Sequence, residues 1–86
     1  MEIIAFQPRW REELVAKSSK GILVFELTMG TAHVYFPDEE CWKREVPDWA
    51  LPLWDDYKNA TEEWCAANRT PISIVDNALV YSEKPA

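Results

Sequence analysis

An α+β sandwich is the fold this chain predicts, on three observations. Apolar residues alternate with polar ones over residues 21–29 and 33–36; they recur at three- and four-residue steps over residues 8–19 and 52–68; and Gly or Asp-Asn pairs punctuate the intervals. The predicted element order is β-α-β-β-α-β-β, a small two-layer sandwich with two helices on one face of a mainly antiparallel sheet. Its first six elements have the order of a ferredoxin-like split β-α-β unit. A chain of 86 residues has room for one domain, spanning 1–86.

The apolar run up to Phe6 supplies a first strand over residues 2–6. Pro8 can open a helix, because the N–H it lacks would have no partner in a first turn. Over residues 8–19, Trp10, Leu14 and Val15 fall on one face and Arg9, Glu12, Glu13 and Lys17 elsewhere, which predicts an amphipathic helix ending at Lys20-Gly21. From Gly21 to Met29 the alternation of Leu23, Phe25, Leu27 and Met29 with Glu26 and Thr28 predicts a strand. Gly30-Thr31 then fits a type II′ hairpin turn, which needs glycine first. This register sets Leu27 opposite Val34 and Phe25 opposite Phe36 on the core face, with Thr28 opposite His33 and Glu26 opposite Tyr35 on the other.

Pro37 ends that strand, since proline cannot donate to a ladder. Residues 38–51 are acidic, contain Pro47, and read as a loop with one helical turn. From Pro52, the steps through Leu53, Trp54, Tyr57, Thr61, Trp64, Cys65 and Asn68 predict a helix of about four turns with an aromatic stripe. Pro71 closes it. Residues 72–75 and 78–82 read as two short strands joined by a type I′ turn at Asp76-Asn77.

The net charge of −6 is gathered between Asp38 and Glu63, where nine acids face Lys43, Arg44 and Lys58; the rest of the chain balances. Such a field repels phosphate backbones, so the chain is not expected to bind nucleic acid, and it steers basic partners. The apolar runs stop at four residues, too short for a membrane span of about 20. Residues 1–8 lack the basic and apolar regions of a signal peptide, which predicts a cytoplasmic protein.

Cys41 and Cys65 stand 24 positions apart with a single histidine in the chain, so neither a zinc site nor any other metal or cofactor is expected. Adjacent acids such as Asp55-Asp56 diverge by about 100° on a helix and do not chelate. With Gly21 and Gly30 the only glycines, no phosphate loop exists.

Five tryptophans stand out: Trp10, Trp54 and Trp64 on predicted helical stripes and expected in the core, Trp42 and Trp49 in the acidic segment. Trp42 and Trp49 can be either a lid on the core or, as exposed aromatics ringed by charge, interface anchors. The leading expectation is therefore a non-catalytic protein-binding module of the inhibitor, immunity or regulatory kind. It would dock a basic partner, or a second copy, through Trp42, Trp49, Asp38, Glu39, Glu40, Glu45, Asp48, Asp55 and Asp56. The alternative is a small-molecule site or modest enzyme on the outer sheet face at Glu26, Thr28, His33 and Tyr35, where His33 is the only base that titrates near neutral pH.

Overall fold

The computed structural model describes residues 3–84. It has a six-stranded, mostly antiparallel sheet covered on one face by two α-helices. The first helix expected from sequence is not formed. Residues 8–19 make most of a hairpin, β1 (Ala5–Arg9) and β2 (Glu13–Ser18), turning through Trp10, Arg11 and Glu12 with Glu12 at φ 63°. The stripe of Trp10, Leu14 and Val15 imitates a helix because β2 is buried on both faces, Leu14 and Ala16 toward the helices and Val15 away from them. Pro8 is tolerated because β1 is an edge strand. Residue 2 of the expected first strand lies outside the described residues.

The order is therefore four strands, two α-helices, two strands, and the ferredoxin-like order is corrected. β3 (Gly21–Thr28) is the hub. One edge pairs Gly21 to Glu26 with β2; the other is divided, Ile22 to Phe25 taking β6 (Val80–Glu83) and Glu26 to Thr28 taking β4 (His33–Pro37). The pairs Glu26–Tyr35, Leu27–Val34 and Thr28–His33 form as expected. Phe25 instead has Val80 as its ladder partner, because β4 leaves β3 after Tyr35, although the Phe25 and Phe36 rings remain 5.0 Å apart. Gly30 does not take a positive φ, so the turn is not type II′; the Thr28 hydroxyl ties it by donating to Thr31 O at 2.9 Å.

The segment expected to be a loop is helical. Asp38 caps α1 (Glu39–Glu45) by accepting from Cys41 N at 2.9 Å, with Glu39 and Glu40 at its positive end and Lys43 and Arg44 at its negative end. A 3₁₀ helix (Asp48–Leu53) leads into α2 (Trp54–Ala67), the predicted four-turn helix, which Arg69 closes at φ 53°. This helical crossover lets β5 (Ile72–Val75) lie parallel to β4. β5 and β6 do not pair with each other, and neither Asp76 nor Asn77 has positive φ, so the expected type I′ hairpin is replaced by two separate pairings.

The core sits between the helices and one sheet face, where Leu14, Leu23, Phe25, Val34 and Phe36 meet Trp42, Tyr57 and Cys65. Trp42 is its centre, with ring contacts to Phe25, Phe36 and Tyr57.

Candidate partner-binding surface

The structure decides between lid and anchor at Trp42 and reverses the expectation at Trp10. Trp42 is 1% exposed and donates from Nε1 to Ala50 O at 2.9 Å, so it is a core residue and not an anchor. Its indole N–H finds a carbonyl because the 3₁₀ turn presents one, and this satisfaction permits the burial. Trp49 is half-buried against the start of β3, where a Cβ on Gly21 would lie 2.5 Å from its Cζ2. Trp54 and Trp64 pack partly against the core, Trp54 donating to Pro37 O at 3.0 Å. Trp10, expected inside, is 78% exposed at the β1–β2 turn, because the helix that would have carried it inward is a hairpin.

The acids are sorted by the same geometry. Asp38 spends its carboxylate on the α1 cap. Glu39, Glu40 and Glu45 are exposed but share α1 with Lys43 and Arg44, and the exposed Asp48 opens the 3₁₀ helix. Residues 38–48 and α2 each carry an excess of three acids, and on α2 it comes from Asp55, Asp56, Glu62 and Glu63 against the single Lys58, whose ammonium lies 3.4 Å from Glu62 and 5.7 Å from the Trp54 ring centre.

Beside that charge runs a groove of about 400 Å³ between the start of the chain and α2. Ile3, Ile4, Phe6 and Trp64 form its apolar wall, with Ile3 88% exposed and the Phe6 and Trp64 ring centres 6.1 Å apart. Asp56, Asn59 and Glu63 form its polar side. Sequence reading missed this groove because Phe6 and Trp64 stand 58 positions apart and only the placement of β1 brings them together.

On the outer sheet face, Glu26, Thr28, His33 and Tyr35 lie on one side as the register requires, but they do not converge. His33 stacks on Tyr35 at 4.5 Å and turns its Nε2 to Ser73 Oγ, 2.8 Å away on β5. Glu26 accepts from Leu79 N at 3.4 Å and lines a separate cavity with Glu12, Glu13 and Thr28. The parallel β4–β5 pairing, which alternation alone does not signal, is what supplies Ser73.

A second cluster on this face was not visible in sequence. Arg9 binds Glu13 at 2.8 Å and reaches Glu83 on β6, three strands away, which the coiling of the sheet makes possible. Tyr81 donates to Glu13. The Tyr81 hydroxyl and then Arg9 hold the Glu13 carboxyl below its usual range, and Arg9 does the same for Glu83. The bond to Glu13 raises the Tyr81 phenol. Burial raises both thiols, Cys65 to about 11, which leaves them poor nucleophiles at neutral pH.

No group of three or more His, Cys, Asp or Glu side chains arranged to hold a metal ion occurs among the described residues, and no described helix is long and apolar enough to cross a membrane. No protein-family model, curated protein or solved structure matches the chain.

Proposed function

We propose that this chain is a small acidic, non-catalytic protein-binding module, of the inhibitor, immunity or regulatory kind, that works in the cytoplasm and docks a basic partner through its helical layer. The observation that carries this reading is the charge on α2, four acids against one lysine that Glu62 already holds, directly beside an apolar groove. Unpaired surface charge of one sign raises encounter rates with an oppositely charged partner, and an adjoining apolar wall gives that partner something to bury. The two buried, unpaired thiols suit a reducing compartment.

The test is affinity capture from the source lysate at low and high salt, using the wild type and the Asp55→Asn, Asp56→Asn, Glu63→Gln triple variant. One basic protein should be captured at low salt and lost in both the variant and high salt. Capture indifferent to both changes, or none at all, overturns the reading.

One contact favours a second reading, a small-molecule site or modest enzyme on the outer sheet face. His33 and Ser73 stand at nucleophile–base distance. Turnover of p-nitrophenyl acetate that disappears in Ser73→Ala would support it; equal rates in both proteins would remove it.

A further inference from the structure

We infer that the groove between the start of the chain and α2 receives an arginine or lysine side chain of the partner, its aliphatic stem along Ile3, Phe6 and Trp64 and its cation at Asp56 and Glu63. The inference rests on the binding-module reading above and names the chemistry of the docked group.

The α2 wall is built by ordinary periodicity. Asp56, Asn59, Ala60, Glu63 and Trp64 follow one another at helical steps of three and one, so α2 offers a single face in which carboxylates alternate with an aromatic ring. The opposite wall comes from the start of the chain, where Ile3 stands almost fully in water. Neither Asp56 nor Glu63 has a salt-bridge partner among the described residues, because Lys58, the only base on α2, is held by Glu62 and Trp54. No Lys or Arg among the described residues lines the groove.

Three classes of occupant compete. A purely apolar side chain would cover the ring and Ile3 but desolvate two carboxylates without replacing their water. An anion would be repelled by both. A side chain with an apolar stem and a cationic end satisfies each wall, because such stems lie along apolar surface while the head reaches polar groups, and aromatic faces attract cations. The volume of about 400 Å³ lies at the small end of ligand sites, which suits one or two side chains and not a folded element.

The experiment is an NMR titration of the whole chain with n-butylguanidinium, which carries arginine's stem and head. 1-Pentanol tests the stem without charge, and pentanoate tests reversed charge. Butylguanidinium should shift the Ile3 methyl, Asn59 amide and Trp64 indole signals saturably, with pentanol weaker and pentanoate silent. Asp56→Asn with Glu63→Gln should weaken binding by about threefold or more, while Glu39→Gln with Glu40→Gln, an equal loss of charge on α1, should leave it unchanged. Equal weakening by the two variants, or an equal response to pentanol, overturns the groove assignment while lysate capture can still uphold the module. Failed capture with intact butylguanidinium binding does the reverse. Self-association in sedimentation that Ile3→Glu abolishes would make the occupant a second copy and overturn the proposal.

Discussion

The two faces of the sheet are sealed by different means. Toward the helices, Leu14, Leu23, Phe25, Val34 and Phe36 meet a cluster of aromatic rings centred on Trp42. On the other side Val15 and Val24 are also buried, Val24 completely, yet both α-helices pack against the opposite face. Their ladder row continues into Tyr81, and the network of Arg9, Glu13, Tyr81 and Glu83 spans this face from β1 to β6. One face is closed by apolar packing, which salt and pH barely touch. The other is closed by long side chains whose charged ends hold one another in place over methyl groups, and salt and pH act directly on such contacts.

The comparison breaks most severely at its apolar side. Trp42→Ala removes the central ring and leaves Ala50 O without its donor, and should cost about 3–5 kcal/mol, a large part of a small domain's stability, as measured by urea unfolding. Gly21→Ala should cost about 1–3 kcal/mol in the same assay, because the new methyl falls 2.5 Å from Trp49 Cζ2 and the residue holds φ +157°. Restoring space with Trp49→Leu in the Gly21→Ala background should return part of the loss.

The charged face should respond to pH instead. Glu13 and Glu83 ionise more readily in the folded chain, so their contribution is complete above the ordinary carboxylate pKa of about 4.3 and fades as pH falls through their lowered folded values. Tyr81 has the opposite sense: its contribution is complete below the ordinary phenol pKa of about 10 and fades as pH rises through its raised folded value. Arg9→Met should therefore lower the melting temperature by an amount that is constant between about pH 5 and 9 and shrinks in acid, and added salt should narrow the same gap. A gap unchanged in acid would show that the network merely covers Val15 and Val24.

Smaller effects sharpen the contrast. Ser73→Ala removes one half-exposed hydrogen bond and should cost about 0.5–1.5 kcal/mol. Trp10→Ser, at a residue 78% in water, should stay within about 0.5 kcal/mol, the reverse of the outcome at Trp42.

How much of this was legible in the sequence follows from how each segment is buried. β3 and β4 have one face toward the helices and one toward polar neighbours in their paired stretch, so alternation gave their register residue by residue. α2 buries a single stripe of Tyr57, Thr61 and Cys65, and its period was plain. β2 is covered on both faces, so it lost alternation and matched a helix instead. α1 is short, and its signs were capping ones: Asp38, two acids, two bases, then Pro47. At the site, the acids were visible as composition, but their partners in space, Phe6 beside Trp64 and Ser73 beside His33, depend on long-range pairings that no local pattern encodes.

The divided edge of β3 matters before the chain is finished. As the chain leaves the ribosome, β1 to β4 come out first and can form an antiparallel meander, yet Ile22 to Phe25 keep one row of backbone groups unpaired until Val80 to Glu83 emerge. At ordinary synthesis rates that interval lasts on the order of several seconds, and a bare strand edge is a template on which a neighbouring chain can dock. β6 is thus the strand that withdraws the nascent chain from aggregation, and a slower exit of residues 40–80 from the ribosome should lower soluble yield without altering a single contact of the finished fold.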